Sequence, residues 1–239
     1  MRRGRAPGGA AVASLPAAGD RLEAPNASVL DDLDEAVAAV RGGGFVVVVD
    51  SEDRENEGDL ILAAEHATEE KVAWMVRHTS GLLCVSLTAE RCAALELPLM
   101  VDTPANREAM ATAFTVSVDL KRGTSTGISA HDRAATLRAL ADPACGPADF
   151  NRPGHVFPLI YHAGGVVARP GHTEAAVDLA RMAGLREAGV LCELVNDGPK
   201  GDMMRLADCR AFADRHGLKL ISIEQIRGRQ TSATSTEKS

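Results

Sequence analysis

Apolar residues recur along the chain in two rhythms, and the switches between them predict alternating helices and strands. Leu33, Val37 and Val40 share one helical face behind Ser28-x-x-Asp31, which resembles a capping box. Gly42-Gly43-Gly44 stops that helix, and Phe45–Val49 reads as a buried strand. Thr68-Glu69-Glu70 opens a helix carrying Val72 and Val76, followed by a strand over Leu82–Leu87 and a short helix over Thr88–Leu95. Phe114–Val118 alternates as a half-buried strand does, and Ser129-x-x-Asp132 caps a helix through Leu140. The apolar stretches Val156–Tyr161 and Val166–Ala168 flank Gly164-Gly165 and predict a hairpin or sharp turn. Thr173 is expected to cap a helix through Leu185, ahead of a strand over Val190–Val195. A helix over Asp208–His216, closed by Gly217 in a left-handed cap, and a strand over Leu218–Ile223 complete the series.

This alternation predicts an α/β (α+β) fold: a single compact domain with mixed β-sheet layers surrounded by helices. Neither G-x-G-x-x-G nor G-x-x-x-x-G-K-[ST] occurs, so the doubly wound nucleotide folds are not indicated. Residues 1–28 are rich in Arg, Ala, Gly and Pro and read as a disordered extension. The domain is expected over 29–227, with 228–239 a polar, flexible tail.

Composition narrows the function more than the fold. A net charge of −7 argues against a nucleic-acid backbone binder, and 3% aromatics against a platform for stacked bases. No apolar run approaches the roughly 20 residues a membrane helix needs. Cys84, Cys92, Cys145, Cys192 and Cys209 are scattered without a C-x-x-C pair. That makes a cysteine zinc site unexpected and fits reduced thiols in the cytoplasm.

The densest chemistry follows the first strand. Asp50–Asp59 reads DSEDRENEGD, six carboxylates against the single cation Arg54. Two like charges about 4 Å apart repel by roughly 4 kcal/mol at an effective dielectric of 20. So many acids at a strand end must be solvated, protonated or neutralised by a cation. A solvated loop is the commoner fate of a charge run. The flanking apolar stretches Phe45–Val49 and Leu60-Ile61-Leu62 favour a divalent-metal site.

A second element, Arg169-Pro170-Gly171-His172-Thr173, leads into a helix whose dipole points its positive end at the turn. It suits a phosphate, while His172 could equally be a metal ligand. Gly123–Ser129 also enters a helix start, although a plain capped polar loop explains it as well. Glu193 falls inside an apolar strand and must be paired, ligating or held neutral, which makes it a candidate acid or base. His155, in Arg152-Pro153-Gly154-His155, would alone pass for a core histidine.

Taken in order, these segments resemble the 3,4-dihydroxy-2-butanone 4-phosphate synthase family of riboflavin biosynthesis. The matching stretches are Asp50–Leu60, Thr79–Cys84, Thr112–Asp119, Thr126–Arg133, Arg152–Pro158, Gly164–Leu185 and Gly189–Asp197, within roughly Leu30–Ile226. The resemblance implies a lyase that converts D-ribulose 5-phosphate to L-3,4-dihydroxy-2-butanone 4-phosphate and formate through a metal-chelated enediolate. It implies Mg²⁺ or Mn²⁺, two per active site, and a homodimer with its sites at the interface. Carried over by motif, Glu55 and His172 ligate metal, and Arg54, Glu55, Asp59 and Glu193 contact substrate. The turn Arg169-Pro170-Gly171-His172-Thr173 does so too, with Arg169 and Thr173 holding the phosphate beside Thr112. His155 and Glu193 form the acid–base pair, and Cys84 is a candidate neighbour of the sugar.

Three departures bear on loop geometry. Ser51 stands where the family usually has a second Asp, and Ile160-Tyr161-His162-Ala163 replaces a commoner Arg-containing stretch. Asn196–Asp202 is longer than usual. No second cysteine-rich zinc unit follows Ile226, so the chain is expected to act without the GTP cyclohydrolase II partner domain common in the family.

Overall fold

Seven strands hydrogen-bond into one mixed sheet, and apolar side chains fill both of its faces. The computed structural model describes residues 29–236; the expected extension over 1–28, with Ser28, lies outside them. The strands are β1 Val46–Val49, β2 Gly58–Ala63, β3 Cys84–Leu87, β4 Val118–Leu120, β5 Phe150–Ile160, β6 Ala188–Glu193 and β7 Lys219–Ser222. Their order is β4-β5-β3-β6-β2-β1-β7. The helices are α1 Leu33–Arg41, α2 Glu69–His78, α3 Ala89–Ala94, α4 Ala130–Ala141, α5 Gly165–Ala168, α6 His172–Met182, α7 Leu206–His216 and α8 Ile223–Thr236.

Alternate residues of the central strands point into two different cores. Val47, Val49, Leu60, Leu62, Val85 and Val190 face α2, α4 and α7 through Val72, Met75, Leu137, Leu140 and Phe212. Val46, Val48, Ile61, Ala63 and Leu191 face α1, α6 and α8 through Val37, Val40, Leu179, Ile223 and Ile226. Strands covered on both sides lose any polar alternation, which is why Phe45–Val49 reads as an unbroken apolar run. Each fully buried Val or Leu contributes roughly 1.5–3 kcal/mol, so the layered arrangement follows from these runs.

Several expected boundaries move. Thr68, Thr88 and Ser129 cap α2, α3 and α4 as the spacing predicts. Helix α1 is capped by Asp32, which accepts from Asp34 N–H at 2.8 Å. Val166–Ala168 belongs to a helical turn, not to a hairpin strand. Gly164 and Gly165 take φ of 93° and 61°, and the buried Asp178 carboxylate accepts the Val166 N–H at 2.9 Å. Helix α6 begins before Thr173: Gly171 is its N-cap, and Thr173 lies in its first turn. Phe114 and Thr115 make only isolated bridges, to Leu159 and Leu99; the regular strand is Val118–Leu120. Glu193 ends β6 and does not sit mid-strand.

The expected flexible tail over 228–239 is corrected to helix as far as Thr236. Ser222 and Gln225 cap its start reciprocally, with Ser222 N–H on Gln225 Oε1 at 2.9 Å and Gln225 N–H on Ser222 Oγ at 3.3 Å. Ile223 and Ile226 then dock in the core. Once a turn is nucleated and docked, each further residue adds a bond for one residue fixed.

Candidate active site

The acidic loop folds around its own first carboxylate. Asp50 Oδ1 accepts from Glu57 N–H at 2.8 Å, and Oδ2 accepts from Glu55 N–H at 2.9 Å and Arg54 Nη1 at 3.0 Å. Its side chain is 1% exposed, so one of the six acids is spent shaping the loop. This clamp turns Glu55 towards the first residue of α6. Glu55 Oε2 lies 3.5 Å from His172 Nδ1, and Asp59 Oδ1 lies 3.9 Å from the same nitrogen. Arg54 also donates to the Glu55 carboxylate.

Burial and neighbouring charges together shift four of the groups here. The bond to His172 holds Glu55 down at about 2, with Arg54 adding to it against burial. Burial pulls His172 down, but the charges of Asp59 and Asp50 and the bond to Glu55 outweigh it and raise the imidazole to about 9. Asp59 is pushed up to about 7, chiefly by burial, with Glu193, Glu55 and Glu57 adding and His172 opposing. Burial likewise raises Glu57.

Asp50, Glu55 and His172 place one ligand atom each within 4.8 Å of one another. His172 Nε2 is buried and has no hydrogen-bond partner among the described residues. A buried imidazole with an unpartnered nitrogen beside anionic oxygens fits a divalent cation. Glu55 and His172 have donor capacity to spare; Asp50 has committed its own to the loop.

Sheet register supplies the next two carboxylates. Asp59 on β2 pairs directly with Glu193 on β6, and directly paired residues project on the same face. Ser80 donates from Oγ to Glu193 Oε2 at 2.8 Å and from its N–H to Glu193 O at 2.8 Å, which orients that carboxylate.

Across the cleft, Arg169 Nη2 donates to Thr112 Oγ1 at 3.1 Å and Nη1 to the buried Glu174 at 2.7 Å. Gly171 leaves room for these side chains: a Cβ would lie 2.6 Å from Arg169 Nη1 and 2.8 Å from Glu174 Oε2, so their ends would have to move. The N-terminus of α6, with Thr173, therefore opens on the same space as two guanidinium groups.

These groups enclose a cleft of about 220 Å³. Arg54, Glu55, Asp59, Thr112, Arg169, His172, Thr173 and Glu193, all among the residues the resemblance implies, line it; Pro170 and Gly171 are not among the lining residues. Cys84 also lines it, and burial holds its thiol well above the ordinary range, so it is not a ready nucleophile. Glu57, Glu108, Phe114, Leu159 and Leu191 line the cleft too and were not anticipated. Glu57 lies in the acidic run that could have drawn attention to it; Glu108 sits in a loop with no pattern.

His155 is not among the lining residues. It sits on β5 with Nδ1 2.7 Å from Asp119 Oδ2, while its backbone N–H donates to Asp119 Oδ1 at 2.8 Å. Its side chain is 43% exposed. Sequence reasoning missed Asp119, which the register shift between Val118 and Asp119 brings beneath the ring. The Gly123–Ser129 loop closes on itself: Asp132 accepts from Ser125 N–H and Gly127 N–H at 3.0 Å each and from Ser125 Oγ at 2.7 Å. It is the capped polar loop of the plainer expectation.

Residues 34–228 match the family model for 3,4-dihydroxy-2-butanone 4-phosphate synthase. The chain belongs to that family. The riboflavin biosynthesis protein RibBA of Rhodococcus jostii (strain RHA1) is 59% identical over 196 residues, 82% of this chain and 46% of that protein. The chain thus spans about half the length of such relatives. Among solved structures, a 3,4-dihydroxy-2-butanone 4-phosphate synthase in complex with two magnesium ions matches with a TM-score of 0.81 at 50% identity. That match covers 85% of this chain and 98% of the other. The Candida albicans synthase matches at a TM-score of 0.75 and 51% identity, over 82% and 96% of the two chains. The single mixed sheet with helices on both faces is the synthase fold.

Proposed function

We propose that this chain is a cytoplasmic lyase of riboflavin biosynthesis, converting D-ribulose 5-phosphate to L-3,4-dihydroxy-2-butanone 4-phosphate and formate. The observation that carries the reading is the convergence of Glu55, His172, Asp59 and Glu193 on one cleft whose far wall is Arg169, Thr112 and the α6 N-terminus. One half suits a divalent cation and proton transfer, and the other suits a phosphate. Residues 29–227 form the catalytic unit in this reading. Five free cysteines suit a reducing compartment.

Arg169, Thr112 and the first N–H groups of α6 hold the phosphate, leaving the sugar to run towards the acidic loop. Glu55 and His172 hold Mg²⁺ or Mn²⁺, two ions per site; the match to a synthase holding two magnesium ions supports the count. When bound, the cations draw off negative charge that develops on adjacent sugar oxygens as a proton leaves the carbon beside the ketone. Asp59, raised to about 7, can accept and return a proton at neutral pH. Glu193 lies directly beside it, aligned by Ser80 for the later loss of water and release of formate.

His155 serves the cleft of a second copy in a homodimer. Its ring is oriented by Asp119 yet open to solvent. Exposed apolar side chains occur near both places: Ile128 follows Gly127, where a Cβ would crowd His155, and Met100 and Val101 adjoin the cleft residues Thr112 and Phe114.

Incubation of the purified protein with ribulose 5-phosphate and Mg²⁺ should release one formate per four-carbon phosphate formed. An isomerised or cleaved sugar without formate would assign the cleft to another sugar-phosphate reaction.

A further inference from the structure

The acidic loop is gripped from two sides, and only the inner grip belongs to the loop itself. Inside, Asp50 takes the N–H groups of Glu55 and Glu57. Outside, Arg205 Nη1 donates to the carbonyl oxygen of Glu55 at 2.8 Å and also to that of Asn56. We propose that Arg205, far away in sequence, is a positioning residue for the divalent-cation site, fixing the peptide planes that aim Glu55 at His172. The proposal rests on the reading of Glu55 and His172 as cation ligands.

Three observations support it. Asn56 has φ 53°, the left-handed region that asparagine enters more readily than other side-chain-bearing residues, and there the backbone turns sharply just after Glu55. Arg205 holds the carbonyls of the 55–56 and 56–57 peptides, the two planes that flank the Asn56 Cα and set its conformation. Arg205 is itself anchored. Its N–H donates to Asp208 Oδ2 at 3.1 Å at the start of α7, and α7 is seated by Cys209, whose Sγ occupies the space a Cβ on Gly58 would need. Finally, the Arg205 side chain is exposed, while α7 is held in the core by Cys209, Phe212 and Ala213. Exposed polar contacts add little to global stability, so the contact matters for the loop and not for the fold.

Charge alone predicts the opposite sign. A guanidinium near the site repels a metal cation, so removing it without moving the loop would tighten binding. Mn²⁺ titration of the full chain by electron paramagnetic resonance, alongside thermal melts, separates the two. Arg205→Ala should raise the Mn²⁺ Kd about tenfold with a melting temperature close to wild type, and Arg205→Lys should recover part of the loss. Arg210→Ala, which removes a guanidinium of α7 that binds Asp31 and Asp214, should leave the Kd unchanged. Wild-type or tighter binding by Arg205→Ala overturns the proposal, as does equal weakening by Arg210→Ala. Glu55→Gln is the control on the ligand reading: wild-type Mn²⁺ affinity in that variant would overturn the ligand assignment and the proposal with it. Lost affinity there with normal affinity in Arg205→Ala would overturn the proposal alone.

Discussion

The tetrapeptide Arg-Pro-Gly-His occurs twice, at 152–155 in β5 and at 169–172 where α6 begins, and the two copies do different things. In the first, Arg152 donates to the backbone carbonyls of Leu95 and Pro147, and His155 meets one carboxylate with its ring half open to solvent. In the second, Arg169 reaches Thr112 and Glu174 across the cleft, and His172 is buried among Glu55, Asp59 and Asp50. One glycine lies flat against the β4 backbone, while the other lets two guanidinium groups approach. Identical letters acquire different chemistry because different segments pack against them. A ring facing one acid and solvent can pass protons, whereas a ring buried among several acids is suited to share a cation with them.

The sharpest way to break this contrast is to remove each ring. His155→Ala should cut turnover by about 10²–10⁴-fold and leave Mn²⁺ affinity unchanged. His172→Ala should weaken Mn²⁺ binding by about a hundredfold. Equal metal affinities in the two variants would erase the distinction.

A pH titration of Mn²⁺ binding sharpens the contrast next. A cation must displace the proton that His172 holds up to about pH 9. Apparent affinity should therefore rise by up to about tenfold per pH unit below 9 and level off above it. The sign for stability is opposite in the metal-free protein. The folded imidazole binds its proton more tightly than its ordinary 6.5 would allow, so this stabilisation is complete below about 6.5 and lost as pH rises through about 9. Asp59, raised from 3.8 to about 7, tilts the same way at lower pH. A metal-free melting temperature that climbs between pH 7 and 9 would contradict the buried, charged state of His172.

The arginines give the smallest contrast. Arg169→Ala should raise KM for the phosphosugar by about tenfold, the scale of a charge-assisted hydrogen bond. Arg152→Ala should leave KM alone and lower the melting temperature instead. A shifted KM in Arg152→Ala, with none in Arg169→Ala, would exchange their roles.

How much of this could be read without coordinates depended on how local each signal was. The apolar runs at Phe45–Val49 and Leu60–Leu62 announced strands, because burial on both faces leaves no polar interruption. Glu55 and Asp59 stood out because six acids crowd ten residues. Asp119 and Ser80 did not, since their roles arise from strand register and from a loop meeting the end of β6. At Gly164-Gly165 the choice between a hairpin and a sharp turn stayed open because Asp178, twelve residues on, captures the Val166 N–H and settles it as a helical turn. Helix α8 was missed because its anchoring is concentrated in Ile223 and Ile226, ahead of a polar stretch. Capping signals within a few residues survived in Thr68, Thr88 and Ser129.

The central claim is tested most directly by diffraction from crystals grown with Mn²⁺ and ribulose 5-phosphate, with anomalous differences collected at the manganese edge. The account predicts a peak about 2.0–2.3 Å from a Glu55 carboxylate oxygen and a His172 ring nitrogen, with the sugar phosphate seated on Arg169. A manganese peak elsewhere, with Glu55 still on His172 and Arg54 and with no cation on either ligand beside bound sugar, would contradict it.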